Sequence, residues 1–63
     1  MKDIKGKTLE VGDVVVCHSV DLYGRIGIVE ELFDFDPTSC SAKIDEWEGL
    51  WMRDFELERL GWL

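Results

Sequence analysis

Proline, histidine and tyrosine each occur once in this chain and cysteine twice, and no apolar run is longer than the four residues VVVC, 14–17. Each scarcity excludes something. Four apolar residues fall far short of the roughly 20 that span a bilayer as a helix. The amino-terminal stretch MKDIKGK lacks the apolar core of a secretory signal. The expected location is therefore cytoplasmic, with no membrane partner. With one proline, no Gly/Ser-rich tract, no internal repeat and no low-complexity segment, the sequence offers no place for an interdomain linker. Its 63 residues are expected to form a single domain, 1–63, near the lower size at which a hydrophobic core holds a fold unaided.

The shortage of histidine and cysteine bears on chemistry. Cys17 and Cys40 form no C-x-x-C pair. A disulfide between them agrees with the count, but two buried thiols in a reducing compartment is the expectation. His18 adjoins Cys17, yet neighbours on a strand point to opposite faces, and a structural zinc site usually takes four ligands. No metal and no cofactor are expected. Nothing in the spacing singles out a nucleophile, base and acid, or a phosphate-cradling glycine loop. The carboxylates Asp45, Glu46 and Glu48 cluster in sequence, but a glycosidase-type pair needs a cleft, which so short a chain hardly supplies. An enzyme is not expected.

Hydrophobic residues, by contrast, make up 46% of the chain and include seven aromatics, too many for a disordered protein. Acids outnumber bases fourteen to seven, and the excess is local. Residues 1–29 hold four of each sign; residues 30–58 hold ten acids against Lys43 and Arg53, a charge of −8. Phosphate backbones require clustered cations. The scattered Lys2, Lys5, Lys7 and Arg25 do not supply them, so nucleic acid is not an expected partner. The acidic half is either a solvated, solubilising surface or a face that docks on a basic protein.

The pattern along the chain is mostly strand. Leu9, Val11, Val15 and Cys17 share a parity, interrupted at Gly12-Asp13, so TLEVGDVVVC reads as a strand entered through a turn. SVDLYG is loop, and RIGIVEELF a second strand, in which Gly27 marks a bulge or a close backbone approach. DFDPTS reads as a turn, because Pro37 fixes its own φ and forces Asp36 to be extended. CSAKIDEW follows as a third strand, Glu48-Gly49 as the next turn, and LWMRD as a fourth strand. FELERL is too short for a stable helix; it reads as a 3-10 turn at 54–56 and a closing strand, 57–60.

Five short strands on so few residues are expected to close into a small all-β barrel, which leaves no long unpaired edges. This arrangement resembles the five-stranded Src-homology-3-type (SH3-like) barrel with a short 3-10 turn before its last strand, and WMRDFELERL is similar to the closing segment of such barrels. The first half resembles the KOW motif found in that fold. Its positions here are Gly12-Asp13, Val15 and Cys17, Gly24, Gly27, and Val29 and Leu32. Both loop glycines are explained first by geometry: Gly24 allows a turn with positive φ, and Gly27 a bulge that bends the strand around the barrel. KOW domains that bind RNA are generally basic around this loop, whereas here Arg25 is accompanied by Asp21, Glu30 and Glu31.

The residues expected to carry a function are aromatic and charged. Alternation in LWMRD puts Leu50 and Met52 on one face and Trp51 and Arg53 on the other, and Trp and Arg are favoured at interface centres. Trp47 beside the hairpin turn, the acids Asp45, Glu46 and Glu48, and Tyr23 and Arg25 in the glycine loop complete the expected partner-binding set. Each tryptophan has an alternative use as core volume in so small a domain. If Val15 and Cys17 point inwards, then Val14 and Val16 form an outer apolar strip, covered by Gly61-Trp62-Leu63 or by a partner; the opposite parity would bury them. Trp62 is expected to pack over the barrel end.

The function expected is that of a small, acidic, non-catalytic protein-binding module, an accessory or regulatory protein docking on a basic partner. Its size alone would suit a phage-encoded protein. A second copy of the chain is left open as a partner. Two alternatives belong to other classes: a KOW-like nucleic-acid or ribosome-associated factor, and an acidic mimic of DNA that occupies a nucleic-acid-binding enzyme.

Overall fold

A computed structural model describes residues 1–62, and of Trp62 the backbone alone. It is all-β: β1 (Asp13–Cys17), β2 (Ile26–Phe33), β3 (Asp36–Ile44) and β4 (Trp47–Arg53), then a 3-10 turn (Asp54–Glu56) and β5 (Leu57–Trp62). The strands make one antiparallel sheet in the order β4-β3-β2-β1-β5. Buried side chains of all five strands, from Met52 of the β4 edge to Leu57 of the β5 edge, share one cluster, so the sheet curls around its own core.

The expected closure does not occur: among the described residues β4 and β5 are both edges of an open, curled sheet. The β5 edge is shielded by the amino-terminal loop. Ile4 N–H donates to the Leu57 carbonyl at 2.9 Å, and Arg59 N–H donates to Asp3 Oδ2 at 2.6 Å. The other Asp3 oxygen accepts from the N–H groups of Lys5 and Lys7 at 2.9 and 2.7 Å. Burial raises the Asp3 pKa, but the hydrogen bonds from Arg59, Lys7 and Lys5 outweigh it and hold the carboxyl below its ordinary value. Capping of this kind blocks an edge against stray pairing.

The core is the inner parity of the strands: Val15 and Cys17 of β1, Val29 of β2, Cys40, Ala42 and Ile44 of β3, Met52 of β4 and Leu57 of β5, with Leu9 from the approach to β1. Val14 and Val16 accordingly face outward and are half-buried. Val11, expected inside, is 63% exposed. Val11 lies in the turn that precedes β1, so it alone leaves the inward parity that Leu9, Asp13, Val15 and Cys17 keep. Both cysteines are free and buried.

Three boundaries differ from expectation. The β2–β3 turn is Asp34-Phe35 alone, with Phe33 paired to Asp36. Pro37 lies inside β3, where β4 has not yet begun to pair, since the first β4 partner is Ser39 opposite Arg53. Proline is tolerated there because no ladder bond is lost. The β3–β4 turn is Asp45-Glu46, not Glu48-Gly49. Gly49 instead sits within β4 at φ 68°, where the register against β3 slips by one residue; a glycine accepts that left-handed geometry without strain.

Gly27 is the close approach, not the bulge. It pairs regularly with Val15 and Ile44, and a Cβ there would lie 2.7 Å from Ile44 Cγ1 and 2.8 Å from the Lys43 carbonyl oxygen. The bulge in β2 comes later, between Val29 and Glu31. It resets the alternation, so that Val29 and Leu32 both face the core although they are three positions apart. Gly24 has the expected positive φ, 81°, in the turn before β2.

Candidate functional site

The β2 bulge has a second effect: it turns Glu31 and Phe33 to the outer face. In β4, burial of Met52 at 4% exposure leaves Trp51 outward and 55% exposed. The register aligns Glu31, Ser41 and Trp51 in one row across β2, β3 and β4. Ser41 is the middle residue, and its short side chain lets large neighbours meet above it. The Phe33 and Trp51 rings are 4.7 Å apart at 35°. Phe35, in the hairpin turn and 75% exposed, stacks on Phe33 at 5.2 Å and 22° and lies 6.0 Å from Trp51. Offset ring pairs at these separations are mutually attractive. The outcome is a three-ring patch on the outside of the sheet.

The charges around the patch fall into two sets. Asp36 is engaged: Thr38 donates to its Oδ1 through both its hydroxyl and its N–H, at 2.6 and 3.0 Å, and Ser39 Oγ donates to Oδ2 at 2.9 Å. The Thr38 hydroxyl above all, then the Thr38 N–H and the Ser39 hydroxyl, with the charge of Arg53 adding to them, lower its pKa. The side chains of Glu31 and Asp34, by contrast, make no hydrogen bond or ion pair among the described residues. The rings are thus bordered by two unengaged carboxylates.

The expected site residues separate into two regions. Trp51 lies in the patch, and Arg53 is exposed two residues on in the same strand, its charge felt by Asp36. Tyr23, Arg25, Asp45, Glu46, Trp47 and Glu48 gather instead where the β1–β2 loop meets the β3–β4 hairpin, tied by the Arg25 Nη1 to Asp45 Oδ2 pair at 2.6 Å. Glu48 pairs with Lys43 at 3.8 Å. Tyr23 packs edge-on to His18 at 5.8 Å. Trp47 is exposed but makes no ring contact with the patch among the described residues.

Phe33 and Phe35 were not among the expected site residues. The signal that could have found them is LFDFD, where two phenylalanines of one parity flank a turn aspartate. Val14 and Val16 form the outer strip, beside Ile28 and Ile26 of β2, with Gly61 and Glu58 of β5 on the other side. The carboxyl-terminal backbone therefore runs alongside β1. The packing expected of the Trp62 side chain and of Leu63 lies outside the described residues.

Further polar contacts hold the loops to the sheet. Arg59 Nε donates to the buried Asp13 at 3.0 Å, and Asp13 also accepts from Glu10 N–H at 2.9 Å, so the Gly-Asp pair closes the turn into β1. His18 Nε2 lies 2.9 Å from Glu58 Oε1, with Lys5 at 3.2 Å from Oε2; the hydrogen bonds from His18 and then Lys5 lower the Glu58 pKa. Burial pushes the Cys40 thiol up to about 11, which keeps it protonated and unreactive at neutral pH. Among the described residues no three His, Cys, Asp or Glu side chains are disposed to hold a metal, and no helix is long and apolar enough to cross a membrane. Comparison with protein-family models, with curated proteins and with solved structures finds no match to this chain.

Proposed function

We propose that the protein is a non-catalytic protein-binding module that docks a basic partner on the Phe33, Phe35 and Trp51 patch. The carrying observation is the patch itself: three aromatic rings packed on one another at the surface, in a domain short of core volume. Aromatic side chains supply contact area at low entropic cost, and the acidic half of the chain steers a cationic partner into contact. The sheet belongs on this proposal to an SH3-type barrel left open between β4 and β5. The 3-10 turn before β5 and the positive φ at Gly24 support that assignment.

The state of the cations counts against a nucleic-acid role. Lys5, Arg25, Lys43 and Arg59 each lie within ion-pair distance of a carboxylate, so displacing phosphate counterions would first require breaking these pairs. A pull-down from native lysate with the immobilised domain, at low and at high salt, tests the proposal. Retention at low salt of a basic protein that is lost from a Phe35→Ala/Trp51→Ala variant supports it. Retention of nucleic acid, or of the same protein by the double variant, contradicts it.

A further inference from the structure

We infer that the patch recognises an arginine side chain of that basic partner, with the guanidinium lying on the Phe35 and Trp51 rings and paired to Asp34 or Glu31. The inference rests on the docking role proposed above and adds the chemistry of the contact. Phe33 and Phe35 are stacked within 22° of parallel, and Phe35 and Trp51 are the exposed members of the cluster. A cation over an aromatic face is attracted by the ring quadrupole. A guanidinium is planar and weakly hydrated, so it can lie flat on a ring while its edge donates in a fork to a carboxylate. An ammonium is compact and strongly hydrated, and gains less from the same surface.

The carboxylates make the patch selective for a cation. Asp34 is in the turn between the two stacked rings, and Glu31 shares the row of Trp51. Both lack a partner among the described residues, whereas Asp36 is already occupied by Thr38 and Ser39. The charge of Arg53 acts on Asp36, and neither Glu31 nor Asp34 makes an ion pair among the described residues. A second copy of this chain, with its net charge of −7, is the wrong occupant for such a surface.

The test uses the ¹⁵N-labelled full chain and three capped eight-residue Gly/Ser peptides, carrying three arginines, three lysines or three citrullines. The Trp51 indole N–H and the amides of residues 31–36 are followed at up to millimolar peptide. The expected result is a saturable shift at these positions, tighter for arginine than for lysine and absent for citrulline. Phe35→Ala and Trp51→Ala should each weaken arginine-peptide binding about 2- to 5-fold, the factor that corresponds to one exposed cation–π contact. Trp47→Ala, outside the cluster, should leave it unchanged. Equal affinity for the arginine and lysine peptides overturns the arginine assignment and leaves the docking of a basic partner standing. No shift at the cluster with either cationic peptide overturns both.

Discussion

The Phe33 and Trp51 rings meet at 4.7 Å on the outer face of the sheet, across the strand that carries Ser41 between them. Because this contact is at the surface, Trp51→Ala should leave a folded domain. The expected loss is about 1–2 kcal/mol, mostly the ring pairings, and less than the roughly 3–5 kcal/mol that removing a buried tryptophan costs. Urea denaturation followed by far-ultraviolet circular dichroism measures it. A variant without a cooperative transition would make Trp51 a core residue after all.

Substitutions at two glycines should separate close packing from backbone strain. Gly27→Val places side-chain atoms against Ile44 and the Lys43 carbonyl, and should cost about 1–3 kcal/mol by overpacking. Gly24→Ala meets no atom within 4 Å but holds φ at 81°, so its cost should be about 1 kcal/mol of strain. In both cases the folded fraction should bind as wild type does. A Gly27→Val protein that melts normally but loses its partner would place Gly27 in the binding surface.

Asp3 links stability to pH. Its folded pKa lies below its unfolded value of about 3.9. Its contribution is therefore complete above about pH 4 and is lost as pH falls through the lower, folded value. Asp3→Asn cannot accept from Arg59 as well as from Lys5 and Lys7, and should cost about 1–3 kcal/mol at pH 7. The gap between variant and wild type should shrink as pH drops below about 4. Thermal melts across that range check the sign; a gap constant down to pH 2 would remove Asp3 as a charged clamp.

With −8 in residues 30–58 and four cations paired with carboxylates, the protein should give no mobility shift with duplex DNA or single-stranded RNA at micromolar concentration and physiological salt. A shift under those conditions would favour the KOW-like alternative.

The strands were legible in sequence because burial on a curled sheet imposes alternation, as VVVC and LWMRD show at β1 and β4. The 3-10 turn at 54–56 was legible too, because FELERL is too short for a helix. The turns were harder. Proline and glycine are turn signals, but Pro37 fits the unpaired start of β3 and Gly49 fits a bulge, while the hairpins turn at Asp34-Phe35 and Asp45-Glu46. The face of Phe33 was hidden for the same reason. The bulge after Val29 reverses the parity of everything downstream in β2, and no local composition marks it. Alternation in LWMRD left Trp51 either outward or in use as core volume; the burial of Met52 puts it outward, and which rings it meets depends on cross-strand register.

The most direct measurement is acrylamide quenching of Trp51 fluorescence in a Trp47→Phe/Trp62→Phe background, without partner and at saturation with the protein retained in the low-salt pull-down. Trp51, 55% exposed in the free domain, should be readily quenched alone and protected in the complex. Equal quenching in the two states would show that the partner binds elsewhere, and the aromatic patch would lose its assigned role.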